Sequence, residues 1–303
     1  MSAESIIRLS DGALNVEILP EAGGRISAFW SEVGGKRVDW FVPRPHSGDA
    51  DCESTAWGSF PLVPFSNRIR DGRFVWNGEE HRIAATEKGA PHAIHGHGRT
   101  AAWDVDARSD TCAALSYSYP GEDWPFPYRA RQVFDLAGGT LSISMQLENT
   151  GTNPMPGGLG HHPYLPWRSG PALTSSFGSI WPAVDGVLPA GPEAIPGGLD
   201  FSGPRERALP RRLDTGFGGW SGRALVHWPG ERLSLEIDGS ETLSHVILFT
   251  PEDRPFFCVE PVTHCIDAIN LAAAGVAGTG MRAVLPARQL AASMSFRPLV
   301  EGC

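Results

Sequence analysis

The sequence predicts an all-β protein built from large antiparallel sheets, with very little helix. Three observations lead to this prediction. The 36 glycines and 26 prolines together occupy 62 of the 303 positions, which excludes coiled coils and helical repeats. An apolar content of 41% excludes a disordered chain. Finally, apolar and polar residues alternate at period two in many short segments, which is typical of half-buried strands.

Each alternating segment is predicted to be one strand. The clearest is 141–148, where Leu141, Ile143, Met145 and Leu147 alternate with polar residues. Similar segments lie at 13–19, 25–31, 132–136, 232–238, 245–250, 256–260 and 291–297. Turn-forming pairs separate them, namely Asp11-Gly12, Asp71-Gly72, Asn77-Gly78, Gly138-Gly139 and Asp238-Gly239. Many strands joined by tight turns indicate a sandwich or a barrel.

The segments between these strands complete the prediction. Residues 268–275 have helical propensity for a turn or two, and a parallel α/β fold is therefore excluded. Residues 186–210 are rich in glycine and proline, but strands continue on both sides, so we predict a long loop within a single domain spanning 1–303. Residues 151–170 are predicted to lack regular structure and, because they contain adjacent histidines, to form a functional loop.

Charge and targeting signals restrict the partners. The 25 basic and 34 acidic residues give a net charge of −9 without a basic run, which argues against nucleic acid or an anionic membrane as a partner. We find neither a signal-peptide pattern nor an apolar run of membrane-spanning length, so we expect a cytoplasmic protein. The cysteines are few and lack a CxxC pair, so they are predicted to be free thiols: Cys52, Cys112, Cys258, Cys265 and Cys303.

Five of the ten histidines lie in two clusters, His92, His95 and His97 in PHAIHGHG and His161 and His162 in GLGHHPYL. A cupin-like metal site would use His95, His97 and a carboxylate such as Glu260. A cupin also requires a glutamate soon after its paired histidines, whereas the next carboxylate here is Asp104. We therefore predict no metal. The glycines flanking both clusters are expected to let a ligand approach the backbone.

Two further features suggest a carbohydrate site. Glu260 ends the apolar run FFCVE and is followed by Pro261, and it offers a positioned base whose pKa burial would raise and a neighbouring cation would lower. Four of the ten tryptophans fall in or near loops, namely Trp103, Trp124, Trp167 and Trp220. Indole rings stack on sugar C–H faces, although we expect most of these tryptophans to be structural.

Several short motifs, taken in order, resemble the aldose 1-epimerase (galactose mutarotase) family from about residue 13 to about residue 298. They are Asn67-Arg68-Ile69 with Gly72 and Phe74, Ile94-His95-Gly96, His162-Pro163-Tyr164, Asp214 with Phe217, and Glu260-Pro261. The segment from Trp124-Pro125-Phe126-Pro127 to Tyr164 is similar to a bacterial branch of hexose epimerases. The resemblance implies a galactose mutarotase-like β-supersandwich, whose concave face binds one sugar and which has no metal or other cofactor.

The resemblance also implies roles for individual residues. Glu260 matches the general base of the family and His162 its general acid. Arg68 and His95 match residues that bind the sugar near its ring oxygen and anomeric hydroxyl, and Asp214 matches an aspartate that binds sugar hydroxyls. The matching motifs further place Asn67 and Tyr164 among the substrate-binding residues.

The sequence departs from the family pattern at two positions. The family usually has a histidine after the aspartate, whereas Thr215 follows Asp214 here. A sugar-binding glutamine is expected on the strand at 245–250, where His245 is the candidate replacement. These departures leave the identity of the sugar open.

The implied reaction interconverts the α and β anomers of a hexose such as glucose or galactose. A carboxylate and an imidazole on opposite sides of the sugar would remove the proton of the C1 hydroxyl and protonate the ring oxygen together. Because an arginine near His162 opposes its protonation, we predict that Glu260 or another carboxylate helps to hold its charge.

Other interpretations remain open at this point. A phosphorylated or otherwise anionic hexose would need extra cations, for which Arg99, Arg129 and Arg131 are available. A non-catalytic sugar-binding protein would not need Glu260 and His162. A glycosidase would require two paired carboxylates, of which the sequence offers one. In each case the expected partner is a small-molecule monosaccharide, bound by a monomer or a weak homodimer.

Overall fold

The computed structural model describes residues 5–45, 55–85, 90–203 and 206–301. Cys52 and Cys303 lie outside the described residues. The first strands are β1 (Ile7–Ser10), β2 (Leu14–Leu19), β3 (Arg25–Val33), β4 (Lys36–Asp39), β5 (Ser59–Leu62), β6 (Arg68–Ile69), β7 (Arg73–Trp76), β8 (Glu79–Arg82), β9 (Ala93–Ile94), β10 (Asp104–Arg108), β11 (Cys112–Tyr119), β12 (Tyr128–Ala137) and β13 (Thr140–Asn149).

The remaining strands are β14 (Met155–Gly157), β15 (Gly160–Pro166), β16 (Ala172–Ser175), β17 (Ser179–Trp181), β18 (Arg207–Ala208), β19 (Leu213–Gly218), β20 (Arg223–Trp228), β21 (Leu233–Gly239), β22 (His245–Thr250), β23 (Phe256–Val262), β24 (Arg282–Val284) and β25 (Gln289–Val300). One α-helix, α1 (Ala268–Ala273), lies between β23 and β24, where the sequence predicts helical turns. Single turns of 3-10 helix lie at Pro20–Ala22, Arg70–Gly72, Gly197–Leu199 and Pro229–Glu231. No helix in the described ranges is long and apolar enough to cross a membrane.

Two large antiparallel sheets dominate the fold, which confirms the predicted all-β class. Among the described residues, the first sheet has ten strands, in the order β1-β2-β3-β5-β15-β23-β22-β19-β17, with β4 paired to β3. The second has nine, in the order β10-β11-β12-β13-β25-β21-β20-β16-β18. Each predicted strand coincides with an observed one, because the apolar residues at every second position need a buried face. In β13, for example, Leu141, Ile143, Met145 and Leu147 are all buried.

The main hydrophobic core lies between the two sheets. Side chains from both sheets form one cluster that includes Val16 and Phe29 from the first and Leu115 and Phe134 from the second. Aromatic rings meet across the interface, as where Phe41 packs edge-on against Phe296 at 5.1 Å between ring centroids. This core therefore occupies one face of the first sheet, and the other face carries a smaller cluster around Phe60 and Ile247.

Residues 151–170 contain two strands, β14 and β15, so the prediction that this segment lacks regular structure is wrong. Strand β15 is central in the first sheet, between β5 and β23. Its glycine and prolines do not prevent pairing, because Gly160 and Pro163 lie opposite Leu62 and Ser59 of β5 in regular antiparallel register. The composition that predicted a loop instead belongs to a buried strand in contact with close neighbours.

The tryptophan and cysteine predictions agree with the structure within its described part. Trp103, Trp124 and Trp220 are buried, and Trp167 packs against the core, so these four are structural, as expected. Cys112, Cys258 and Cys265 are free cysteines.

Candidate active site

The outer face of the first sheet brings together the residues singled out in the sequence. The register pairs His162 of β15 with Phe60 of β5, and it pairs Tyr164 with Cys258 of β23. Two residues away along each strand, the same register brings Glu260 of β23 opposite His162. Because cross-strand neighbours share a face, His162 lies between Phe60 and Glu260. A row of side chains thus crosses the centre of the sheet, where hydrogen bonding on both sides holds each strand in place.

The centre of this row is a direct contact between an imidazole and a carboxyl group. The Nε2 atom of His162 lies 3.3 Å from Oε1 of Glu260. Both residues are buried, with 6% of His162 and 1% of Glu260 exposed. The other oxygen of the carboxyl, Oε2, and Nδ1 of His162 have no hydrogen-bond partner among the described residues. The pair is therefore well placed to exchange protons with a molecule bound beside it.

Aromatic rings hold His162 in its orientation. Its imidazole stacks between the rings of Phe60 and Tyr164, with 4.6 Å and 4.7 Å between the ring centroids. The ring of His95 packs edge-on against it at 5.2 Å. These contacts leave His162 little rotational freedom, so the position of Nε2 is fixed before a substrate arrives.

Arg68 approaches from outside the sheet, on the short ladder formed by β6 and β9. Its Nη1 lies 3.7 Å from Oδ2 of Asp214 and donates a 3.2 Å hydrogen bond to the side-chain oxygen of Asn67. The backbone N–H of Asn67 in turn donates to Nδ1 of His95 at 3.2 Å. The structure thus links Arg68, Asp214, Asn67 and His95 in one network, in which Asn67 supports Arg68.

Burial sets the protonation of the central pair. It raises the pKa of the Glu260 carboxyl well above its ordinary 4.5, Asp214 raises it further, and Arg68 opposes this. Burial lowers the pKa of His162 from 6.5 to about 3, with further lowering by Arg25. A carboxyl group does stand beside His162 as predicted, but one that keeps its own proton offers no negative charge. Burial thus disfavours the charged imidazole that the sequence predicts and favours the pair with its proton on Glu260.

The other ionisable groups of the site are also shifted towards neutrality. Burial lowers the pKa of His95 well below 6.5 and raises that of the Tyr164 hydroxyl. Burial raises the pKa of Asp214 above 3.8, while Arg68 lowers it. At neutral pH the histidines and the tyrosine are therefore uncharged, and the positive charges beside the pair come from arginines.

A cavity of about 500 Å³ opens next to the pair. It is lined by Arg25, Thr55, Phe60, His95, Arg99, Thr100 and Tyr164. Three of these, Phe60, His95 and Tyr164, are the rings that surround His162. A second cavity of about 230 Å³ lies beside Arg68 and Ile94. A small polar molecule in either cavity would therefore lie beside residues that surround the central pair.

The two adjacent histidines of the GLGHHPYL motif have different environments. His162 lies on the outer face, whereas His161 points into the core, because neighbouring residues of a strand face opposite ways. Its Nδ1 lies 2.5 Å from the Ser59 hydroxyl and its Nε2 lies 3.1 Å from Oε1 of Gln132. Burial lowers its pKa to about 3, so His161 is a neutral structural residue.

Histidines of the first cluster also separate. His95 has a φ of 64° and joins the site, whereas the ring of His97 stacks on Tyr119 at 4.6 Å. The paired imidazoles of a cupin-like centre are therefore not formed. In the described part of the chain, the one group of metal-ligand atoms within 4.8 Å of each other comes from His162, Cys258 and Glu260. We refer to it as the His–Cys–Glu group.

The glycines beside the histidines allow close packing of the chain, rather than the approach of a ligand that the sequence suggested. A Cβ added to Gly96, whose φ is +66°, would lie 2.3 Å from the carbonyl oxygen of Val63. A Cβ added to Gly160 would lie 2.7 Å from the carbonyl oxygen of Pro261. Both contacts draw the histidine-bearing segments against the sheet.

The two departures from the family pattern have clear positions. Thr215 faces away from Asp214, and its hydroxyl donates to the carbonyl of Trp181 at 2.9 Å. His245 contacts the Ser244 hydroxyl at 2.9 Å and the Trp181 ring at 5.9 Å. Burial lowers the pKa of His245 to about 4, so it offers a neutral ring in this separate cluster.

Sequence reasoning missed three residues of the site: Arg25, Phe60 and Cys258. Each sits in an apolar strand, and a sequence shows no sign of which residues that strand contacts across the sheet. An arginine at the start of the alternating segment 25–31 was the one available signal. Of the arginines considered for an anionic sugar, Arg99 lines the cavity, but Arg129 and Arg131 lie on β12 of the second sheet.

Comparisons with known proteins identify the family and the fold of this chain. A family model described as "Aldose 1-epimerase" matches residues 5–277. The uncharacterized protein YphB of Escherichia coli K12 is 29% identical over 97% of this chain and 98% of its own length. A solved structure from Escherichia coli K12, provisionally named an aldose 1-epimerase, is 28% identical, with a TM-score of 0.85 over 98% of this chain and 99% of that one.

More distant structures share the fold. A galactose mutarotase-like protein from Clostridium acetobutylicum is 17% identical and superposes with a TM-score of 0.84, over 99% of this chain and 96% of that one. The resemblance implied a galactose mutarotase-like architecture, and this similarity confirms it. Because the family model covers most of its length, the chain belongs to the aldose 1-epimerase family.

Proposed function

We propose that this protein is an aldose 1-epimerase that interconverts the α and β anomers of a hexose through the open-chain aldehyde. The single observation that carries the proposal is the buried contact of 3.3 Å between Nε2 of His162 and Oε1 of Glu260. Anomer interconversion needs one group to accept the proton of the C1 hydroxyl and another to protonate the ring oxygen. Both oxygens are bonded to C1, so side-by-side groups suit them better than the groups on opposite sides that the sequence suggested.

One proton on the pair is the number that this reaction needs. On binding, the shared proton moves from Glu260 to His162 along their contact. Glu260 then accepts the proton of the C1 hydroxyl, His162 donates its proton to the ring oxygen, and the bond between C1 and the ring oxygen breaks. After opening, Glu260 is protonated and His162 is neutral. Rotation about the C1–C2 bond exposes the other face of the aldehyde, and reversal of both transfers closes the ring.

Burial of the pair sets the protonation states between which it cycles. The site favours the neutral forms of Glu260 and His162, which are the forms of the free site and also the forms present once the ring has opened. Ring opening therefore returns the pair to its resting state, and the cost of forming the transient charged pair is part of the barrier. No proton has to enter from solvent during the cycle.

The surrounding residues would bind and orient the sugar. Arg68 and His95 would contact the ring oxygen and the anomeric hydroxyl. Asp214 would accept hydrogen bonds from other sugar hydroxyls, and Tyr164 would contact the sugar on the side of the 500 Å³ cavity. Asn67 would act through Arg68, whose guanidinium it holds. A monosaccharide partner, a cytoplasmic location and a monomer or weak dimer complete the proposal.

Polarimetry or proton NMR of freshly dissolved α-glucose and α-galactose tests the proposal. We expect the protein to accelerate anomer equilibration above the buffer rate and the variants Glu260→Gln and His162→Ala to lose about 10²- to 10⁴-fold in kcat. Arg131→Gln, on the second sheet, serves as the control and should match the wild type. Full acceleration by either site variant would contradict the assigned roles.

A further inference from the structure

Arg25 is a buried cation without a carboxylate partner among the residues that the structure describes. The residue is 8% exposed. Its guanidinium donates to the carbonyl of Thr55 at 2.5 Å and, through Nε, to the carbonyl of Trp57 at 3.1 Å, and it stacks over the Trp57 ring at 3.5 Å. Backbone carbonyls hold the group in place but do not neutralise it. Buried charges are normally paired, so this one needs an explanation.

The charge of Arg25 faces the cavity beside the catalytic pair. Arg25 and Arg99 both line this cavity, and their guanidinium carbons lie 5.1 Å and 5.8 Å from the centre of the Phe60 ring. The same ring stacks on His162. The guanidinium groups of Arg25 and Arg99 and the imidazole of His162 thus all lie around the ring of Phe60. Of the described carboxyl groups at the site, Glu260 contacts His162 and Asp214 contacts Arg68.

We propose that the hexose is anionic and that its oxyanion group, carried on C6, binds in this cavity to Arg25 and Arg99. The inference rests on the proposed function, in which His162 protonates the ring oxygen. That oxygen is bonded to C5, which carries C6, so a ring oxygen at His162 directs C6 to a space adjoining this imidazole. Guanidinium groups bind phosphate, sulfonate and carboxylate oxygens through paired N–H donors.

An anion in this position would also assist the reaction. Arg25 is one cause of the lowered pKa of His162, and Arg99 contributes as well. An oxyanion between the two arginines would offset their positive charge and make it easier for His162 to receive the shared proton. The bound substrate would thereby favour protonation of His162, its general acid.

Isothermal titration calorimetry with 1,5-anhydroglucitol and its 6-phosphate tests the inference. Both compounds lack the anomeric hydroxyl and cannot open, so the measurement reports binding separately from turnover. We expect the 6-phosphate to bind about 10- to 100-fold more tightly. Arg25→Gln should remove this preference and keep the weaker binding of the neutral compound. Arg25→Lys should restore part of it, and Arg131→Gln should behave as wild type.

Two further arms keep the test decisive if Arg25→Gln does not fold. Arg99→Gln should weaken binding of the 6-phosphate more than binding of the neutral compound, and inorganic phosphate should compete with the 6-phosphate alone. The corresponding 6-sulfonate and 6-carboxylate distinguish the sources of the anion by their relative affinities. Equal or weaker binding of all three anions, compared with the neutral compound, would overturn the inference.

The outcomes separate this inference from the proposed function. Acceleration of glucose mutarotation without any preference for anions overturns the inference alone. A preference for the anion that depends on Arg25, without acceleration of any sugar, overturns the epimerase and supports the anion site. The absence of both binding and acceleration overturns the two together.

Discussion

Replacement of Glu260 by glutamine should make the protein more stable at neutral pH while it removes the activity. The carboxyl is buried in contact with His162, and burial raises its pKa well above 4.5. An acid whose pKa is raised on folding opposes the folded state as pH rises, because the unfolded chain releases the proton first. Glutamine has nearly the same shape, carries no titrating proton and so escapes this effect.

The magnitude follows from the single proton involved. Below pH 4.5 both folded and unfolded forms keep the proton on Glu260, so the residue contributes no pH dependence there. Between 4.5 and the raised pKa of the folded protein, the wild type loses about 1.4 kcal/mol of unfolding free energy per pH unit relative to Glu260→Gln. Above the folded pKa the difference becomes constant. His162 is present in both proteins, so to first order its own titration cancels.

Urea unfolding followed by tryptophan fluorescence, at intervals between pH 4 and 9, measures this difference directly. Mutarotation of the same samples should show the loss of about 10²- to 10⁴-fold in kcat already expected for this variant. A stability difference that does not change with pH would mean that Glu260 titrates normally in the folded protein. That result would refute the description of the pair as a buried carboxyl and a neutral imidazole sharing one proton.

Three other predictions concern pH, backbone packing and metals. The kcat/KM of the wild type, corrected for the buffer reaction, should fall as pH rises through the raised pKa of Glu260, because the pair then loses its single proton; a constant value up to pH 10 would contradict this. Gly58→Ala should destabilise the protein by about 1–3 kcal/mol or more, because φ is +61° and the new Cβ would lie 1.7 Å from the Ile26 carbonyl oxygen. The control is Gly197→Ala, whose new Cβ would have no described atom within 4 Å and which should change the unfolding free energy by less than about 0.5 kcal/mol in the same assay. Zn²⁺ should inhibit mutarotation reversibly through the His–Cys–Glu group, and Cys258→Ser should raise the concentration required; equal sensitivity of the two proteins would exclude that site.

The strands could be predicted because their signal is local. Leu141, Ile143, Met145 and Leu147 mark the buried face of β13 by their spacing alone. Strand β15 shows where local signals fail. Its Gly160 and Pro163 favour loops in isolation, and the strand exists because β5 and β23 pair with it on both sides. The composition of a segment does not reveal tertiary contacts of this kind.

Residues of the candidate site could be predicted where a motif contains them, but not where only the fold brings them together. Glu260 and His162 were found through motifs nearly 100 positions apart, and the structure brings their side chains into contact. Their protonation could not be predicted, because it depends on burial. Arg25 and Phe60 were missed for a related reason: an arginine or a phenylalanine in an apolar strand acquires its role from cross-strand neighbours.

The alternation at His161 and His162 predicts two different functional constraints on adjacent positions. Changes at position 161 should alter how much folded protein a cell contains, because its imidazole bridges Ser59 and Gln132 within the core. Changes at position 162 should alter turnover and leave abundance nearly the same. An insertion of one residue before this pair would move His161 into the place of His162 and turn His162 towards the core face, while preserving both histidines. Alignments of relatives that shift by one position here would therefore transfer the catalytic label to the wrong histidine.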